Sequence, residues 1–280
     1  MNGHSNAAGV LRIRADRRFP EHPLSSLWQA RELLLLLTKR EVHLRYQHST
    51  AGIGWAILQP VLTVAVLVVF QSFIGHKDGS SLPYALYATT ALVPWTFMVH
   101  AITQSSNCVL NHSGVIGKVQ FPRLVLPLAA VLGATIDFLL GLILVPVLMI
   151  CYGIHAHLTI LALPLFTLHL TVFAAALGIW FAYLNARFRD TSNALPFITQ
   201  LWFFLSPIVY TTNMVPERWR FVLGLNPMVG ILEGFRWTFF ASADPLLFVW
   251  VTKSWLITCV LLFTGVAVFL ANEERLADII

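Results

Sequence analysis

The sequence predicts an all-α integral membrane protein with six transmembrane helices, an amphipathic interface helix before them and both termini in the cytoplasm. Three observations carry this. The 280-residue chain is 57% hydrophobic and only 11% charged, against about 25% charged in an ordinary soluble domain, and its mean hydropathy is +0.73. The apolar residues fall in blocks of about 20, the helical length that crosses a hydrocarbon layer of about 30 Å. The cations gather mainly at one end of the chain and in alternate loops, as membrane orientation requires. A soluble core of this size would need far more charge to cover its surface.

Residues 1–25 read as a cytoplasmic tail, polar and basic (Arg12, Arg14, Arg17, Arg18). The run Leu33 to Leu37 is too short for a secretory signal, so the start of the chain is expected to stay inside. Residues 26–47 form the interface helix. On a helical wheel Gln29, Glu32, Lys39, Arg40, His43 and Gln47 share an arc of roughly 100°, the width of a polar stripe. Most of the leucines, with Trp28, Val42 and Tyr46, take the rest. Leu36 is a misfit, and Arg31, Glu41 and Arg45 interrupt the apolar side. Ser26 and Gln29 fit a capping box, and Glu41 and Arg45 are an i,i+4 pair in the favourable order. Such a helix lies in the headgroup layer.

Residues 48–280 form the permeation domain, with spans at Ile53–Ile74, Tyr84–Ile102, Leu124–Tyr152, Leu158–Leu184, Ala194–Tyr210 and Val249–Ala271. With the N-terminus inside, the inner segments hold 13 of the 18 Lys and Arg residues and the outer segments 5. Gly52 and Gly54 allow a sharp turn from the interface helix into the first span, and Trp55 marks the interface. A surface anchor needs only grip; this helix is joined to a span with hardly any slack, so it also reads as a lever. Between spans five and six, FVLGLNPMVGILEGFRWTFFA is apolar but cut at Asn226-Pro227. Asn226 can cap a helix that starts at Pro227, and Glu233 and Arg236 can pair at i,i+3. A seventh span would bury both charges and place the acidic C-terminus outside. A re-entrant helical hairpin dipping into the outer leaflet is the better reading.

Four fragments, in order, carry a family resemblance. KREVHLRYQHSTAGIGWAILQP (39–60) resembles the opening signature of type-2 ABC transporter permeases that export polysaccharides. LNHSGVIGKVQFPRLVLPLA (110–129) is similar to the inner loop of that family, shifted in spacing. RFRDTSNALPFITQLWFFLSPIVY (187–210) resembles its arginine–aspartate loop and following span, and LNPMVGILEGFRWTFF (225–240) its outer hairpin. The likeness covers nearly the whole chain after about residue 30. It implies a homodimer in the bacterial inner membrane that works with two copies of a separate ATP-binding subunit. The cargo it implies is a lipid-linked polysaccharide of O-antigen, capsule or teichoic acid type. No enzymatic activity and no cofactor are expected in this chain. ATP and Mg are expected on the partner, for GVIGK (Gly114 to Lys118) lacks the spacing of a phosphate-binding loop.

Several residues then become candidates. Asn111, Ile116, Lys118, Phe121 and Arg123, with Arg187, Arg189 and Asp190, would meet the ATPase subunit; the bland reading is an ordinary positive-inside loop. Trp28, Lys39, Arg40, Glu41, Arg45 and Tyr46 belong to the interface helix. Sugars stack their C–H faces on aromatic rings, so Trp55, Gln59, Phe70, Gln200, Trp202, Phe203, Phe204 and Tyr210 would line a substrate path. Taken singly, each of these aromatics fits a belt or packing role better, and only as a set on spans one and five do they point to a path. Pro207, Asn226, Pro227, Glu233 and Arg236 would form a gate, with Pro60 and Pro207 able to kink their helices. Asp137 is the lone carboxylate midway along span three, functional by default or structural. Lys253 can snorkel. His155 and His157 lack a third ligand, Cys108, Cys151 and Cys259 lack metal spacing, and no metal site is expected. The basic pI near 9.4 reflects orientation and not a nucleic-acid partner. Export of a small lipid or drug by the same architecture stays open, and an enzyme acting on lipid-linked sugars is a more distant alternative that would need paired acids or a metal.

Overall fold

The computed structural model describes residues 27–47, 52, 54–74, 83–112, 114, 121–188, 190–241 and 245–273. Among these the chain is helical without a strand: α1 (Arg31–Tyr46), α2 (Gly54–Ile74), α3 (Tyr84–Asn111), α4 (Val125–Leu142), α5 (Leu144–Cys151), α6 (Leu163–Arg187), α7 (Thr191–Leu205), α8 (Glu217–Leu223), α9 (Pro227–Phe240) and α10 (Leu247–Ala271). Four stretches are long and apolar enough to cross a membrane: Tyr84–Asn111, Val125–Cys151, Leu158–Arg187 and Leu247–Ala271. They correspond to the expected spans two, three, four and six. Helix α2 coincides with the expected first span; its described apolar part, Ile57–Phe73, is shorter.

Prolines set several boundaries. Pro146 has no N–H to offer the Leu142 carbonyl, and α4 passes into α5 just there. Pro164 sits in the first turn of α6, where a missing donor costs nothing. The fifth expected span ran to Tyr210 with a kink at Pro207. The structure corrects this: α7 stops at Leu205, Ser206 is extended (φ −102°, ψ 144°), and Pro207 lies past the helix end. A residue before proline is pushed out of the helical region, so the proline ends the helix and does not bend it. Pro60, in contrast, lies inside α2.

Helix α3 is the centre of the bundle, flanked by α4 and α6; α10 packs on the far side of α6, and α1 lies along α4. Small residues permit these approaches. A Cβ on Gly178 of α6 would stand 2.8 Å from Ser105 Oγ of α3, and one on Gly133 of α4 would meet Glu41 Cβ of α1 at 3.4 Å. Helix α9 is wedged among α3, α6 and α10 and is buried along nearly its whole length. Its Gly230 has the Trp250 carbonyl where a Cβ would be, and its Gly234 has the Phe166 ring there. This Gly230-x-x-x-Gly234 spacing puts both bare positions on neighbouring turns of one helix. The largest apolar cluster, with Leu92, Met98, Phe138, Phe173 and Phe235, fills the space around α9. A second, with Leu37, Val125, Ala182 and Phe269, closes one end of the bundle.

Candidate functional site

Helix α1 and the residues flanking it keep the polar arc of the predicted wheel. Gln29, Glu32, Lys39, Arg40, His43 and Gln47 are all exposed, while Leu37 and Thr38 are buried against the bundle. Ser26, the proposed cap, lies outside the described residues. Trp28, Leu35, Leu36 and Leu44 stay exposed, an apolar edge suited to lipid, which gives the misfit Leu36 a place. Arg31 lies over the Trp28 ring, 5.2 Å from its centroid.

The charges that interrupt the apolar side find partners on other helices. The Arg45 guanidinium pairs with the carboxylate of Asp137, midway along α4, and the Tyr46 hydroxyl donates to the other oxygen of that carboxylate. Glu41 stands 3.5 Å from His112 Nε2 at the end of α3. Both oxygens of Asp137 are thus engaged by the last turn of α1. Burial draws the Arg45 guanidinium below its usual value, opposed by Tyr46 and Glu41. Burial raises the Tyr46 phenol, with Arg45 pulling the other way. At neutral pH Tyr46 is therefore a donor, as its bond to Asp137 requires. Helix α1 is fastened to α4 as well as joined to α2, and the lone carboxylate of span three is where it is fastened.

Beside this clamp, a cavity of about 250 Å³ opens between α1, α2, α3 and α4; Arg45, Tyr46, Trp55, Gln59, His100 and Asp137 are among its lining residues. Two expected path residues, Trp55 and Gln59, therefore meet two interface-helix residues. The others on the path lie elsewhere. Gln200 and Phe204 are exposed on α7. Trp202 and Phe203 are half-buried, edge-on to Trp95 with ring centroids 6.0 and 5.8 Å away. Tyr210 donates to the Leu205 carbonyl at 3.2 Å. The side chain of Phe70 lies outside the described residues.

The expected gate residues converge. Asn226 accepts from Met228 N at 3.0 Å, capping α9 as predicted. The same Asn226 Oδ1 accepts from Trp202 Nε1 at 3.0 Å, and its amide donates to Ser206 Oγ at 2.9 Å. Arg236 donates to Glu233 at 2.7 Å and to the Pro207 carbonyl at 2.6 Å, and stacks 3.7 Å from the Tyr87 ring centroid. Glu233 and Arg236 are only 8% and 3% exposed. A charged pair this deep is tolerated because it is hydrogen-bonded and faces protein. Pro227 follows the cap and accepts from Ser254 Oγ at 2.6 Å. The end of α7, the start of α9 and α3 are thereby tied in one network.

At the end of the bundle closed by the second apolar cluster lie Asn111, Phe121, Arg123, Arg187 and Asp190; Ile116, Lys118 and Arg189 fall outside the described residues. Arg187 donates to Tyr183 Oη at 3.0 Å. Arg123 is engaged within the chain: its backbone N–H donates to Glu273 Oε1 at 2.7 Å, and its guanidinium to the Glu273 backbone carbonyl. A carboxylate so caps the start of α4 while a cation meets the end of α10, each complementing a helix dipole. Sequence reasoning did not find Glu273, His112, His100 or Tyr87 in these roles. The Gly230-x-x-x-Gly234 spacing and the charges within an apolar helix face were the available signals.

Comparisons with known proteins place the chain in a family. The chain is 27% identical over 258 residues to an O-antigen export system permease protein RfbA of Myxococcus xanthus, covering 90% of this chain and 96% of that protein. It is 25% identical over 250 residues to an RfbA permease of Klebsiella pneumoniae, covering 89% and 95%. It is 22% identical over 240 residues to the polysialic acid transport protein KpsM of Escherichia coli, covering 85% and 92%. The model of the ABC-2 type transporter family matches residues 32–240, from the first turn of α1 to the last residue of α9, and the clamp, the capped α9 and the bundle between them are therefore those of a chain that belongs to the ABC-2 type transporter family.

Proposed function

We propose that this chain is the transmembrane permease subunit of an ATP-driven exporter that carries a lipid-linked polysaccharide, of O-antigen or capsule type, from the cytoplasm across the bacterial inner membrane. The observation that carries the mechanism is the fastening of α1 to α4 through Arg45, Tyr46 and Asp137. A helix lying in the interface and clamped to a spanning helix transmits displacement, because the last turn of α1 holds both oxygens of the Asp137 carboxylate by charge-assisted bonds. The similarity to permeases named for O-antigen export and to a polysialic acid transporter supports the substrate class.

In this reading α2, α3, α4–α5, α6, α7 and α10 are six spans, α8 and α9 form the re-entrant outer hairpin, and both termini are cytoplasmic. Two copies associate, and each receives a separate ATP-binding subunit. That subunit docks at the end carrying Asn111, Phe121, Arg187 and Asp190, with Ile116, Lys118 and Arg189 as further contacts, while Arg123 shapes the docking segment through Glu273. Its motion reaches α1 and α4. The exposed faces of α2 and α7, with Trp55, Gln59, Gln200 and Phe204, line the path, to which Phe70 is also assigned. Trp202, Phe203 and Tyr210 support α7 from behind, and the network of Pro207, Asn226, Pro227, Glu233 and Arg236 holds the outer gate.

The test joins two measurements. The full-length chain should co-purify with an ATPase, and replacing Gln200 and Phe204 by alanine should lower surface polysaccharide several-fold without changing chain abundance or that co-purification. Failure to bind any ATPase overturns the transporter assignment. Unchanged surface polymer in the double variant overturns the path.

A further inference from the structure

Helix α1 has a second attachment, chemically unlike the first. Where Arg45 and Tyr46 hold Asp137, the cation is permanent, since a guanidinium does not deprotonate. Glu41, one turn earlier, meets a histidine instead. His112 is the C-cap residue of α3 and only 6% exposed, and its Nε2 stands 3.5 Å from Glu41 Oε1. The other ring nitrogen fixes what that approach requires. Nδ1 lies 2.8 Å from the Cys108 carbonyl, and a carbonyl only accepts, so Nδ1 carries a hydrogen. A neutral imidazole has a single N–H. With that hydrogen on Nδ1, Nε2 would turn its lone pair toward a carboxylate, and two acceptors would face each other away from bulk water. The contact is attractive when one further proton is held there, as an imidazolium against a carboxylate.

The surroundings favour the charged ring. His112 closes the C-terminus of α3, where the carbonyls of the last turn attract a cation. The titratable groups on the elements around it have partners of their own. Arg45 of α1 is engaged by Asp137 of α4, while also drawing on Glu41 electrostatically. Arg123, ahead of α4, is held by Glu273 beyond α10, and Arg187 of α6 donates to Tyr183. On α3 itself, Cys108 contributes a buried thiol.

We infer that His112 is a positioning residue that holds the end of α3 to α1 only while the His112–Glu41 pair carries an added proton. Histidine changes charge between about pH 5 and 8. The joined arrangement binds one proton more than the separated one, so the joint tightens as pH falls through that range and loosens as it rises. Helix α1 is thus fastened twice, by a permanent clamp to α4 and by a proton-dependent one to α3. Asn111, the neighbour of His112, opens the segment proposed to dock the ATPase subunit. What the joint passes to that subunit rests on the docking proposal; its proton dependence does not.

The test is a double-mutant cycle on thermal unfolding of the purified full-length chain, with Glu41→Ala, His112→Ala and both together, at about pH 6 and about pH 8.5. The coupling between the two positions should be worth about 2–4 °C at the lower pH and largely vanish at the higher. Glu41→Gln gives a readout of opposite sign: its amide N–H suits the neutral ring, so its coupling to His112 should grow with pH. His112→Lys keeps a cation beside Glu41 and should remove the pH dependence. Equal coupling at both pH values, or a Glu41→Gln coupling that falls as pH rises, overturns the proton-dependent joint. Because the cycle is read on the chain without its ATPase, such a failure is separate from failure of the docking proposal. In the purified complex with the ATPase subunit, His112→Lys should flatten the pH profile of ATP hydrolysis. An unchanged profile, beside the expected cycle, overturns the link from the joint to the motor.

Discussion

The hydroxyl of Tyr46 donates to the carboxylate of Asp137, 91 residues further along the chain, and Arg45 occupies the other oxygen of the same group. The last turn of α1 is thereby fixed to α4. Asp137→Ala leaves Arg45 part-buried without its partner. Full burial of such an orphan costs about 3–5 kcal/mol, and partial exposure reduces this to about 1–3 kcal/mol. Tyr46→Phe removes one bond to a charged acceptor and should cost about 1 kcal/mol. Thermal unfolding of the purified protein, with both single variants and the double, checks the order; equal effects of the two would show that the carboxylate is not the anchor.

Gly133 lets α1 lie against α4. Its missing Cβ would stand 3.4 Å from Glu41 Cβ and 3.7 Å from Val42 Cγ2. An added methyl sits at ordinary contact distance, so Gly133→Ala should fold and retain the clamp. Gly133→Leu adds three more carbons where no room exists and should lift α1 from α4. A disulfide engineered between the two helices should form in the alanine variant and fail in the leucine variant.

The two glycines of α9 behave differently. An alanine at 234 runs into the Phe166 ring, and one at 230 into the Trp250 backbone carbonyl. Overpacking costs about 1–3 kcal/mol. A ring can be trimmed and a backbone cannot. Phe166→Leu should recover much of the loss in Gly234→Ala and none of the loss in Gly230→Ala, read as melting temperature of the double variants.

Removing Arg236 alone should be among the most damaging single changes. It takes the neutralising cation from Glu233 in a buried site and a donor from the Pro207 carbonyl, with an expected cost of about 3–5 kcal/mol. Arg236→Met combined with Glu233→Gln removes both charges and should be milder than Arg236→Met. A double variant no better than the single would show that the Pro207 contact, and not the uncompensated charge of Glu233, dominates.

Glu273 reaches back to the start of α4. Glu273→Ala should release the Arg123 amide and cost about 1 kcal/mol, the scale of a helix cap. Hydrogen exchange of the first turn of α4 should accelerate, while exchange in the middle of α3 stays unchanged.

Much of this was legible in the residues because it depends on local periodicity. The exposed arc of α1, the helices of the four long apolar stretches, the Asn226 cap and the Glu233–Arg236 pair all involve residues within a few turns of one another. The end of α7 was read wrongly at Pro207, since a proline in an apolar run either bends a helix or ends it, and the sequence does not distinguish the two. The interruptions by Glu41 and Arg45 were visible but unexplained. Their partners, His112 and Asp137, lie on other helices. The spacing Gly230-x-x-x-Gly234 was equally visible, yet nothing local says what approaches a glycine.

Sequence alone determined the membrane environment and the helical period, because apolar length and the 3.6-residue repeat are properties of short stretches. Tertiary structure decided which helix α1 is fastened to, why α9 can be buried with an ion pair, and that Arg123 is engaged by Glu273. Each of these is a pairing between distant residues. Its free energy depends on which polar groups packing leaves in reach of one another after water is removed, and no order of residues along the chain states that.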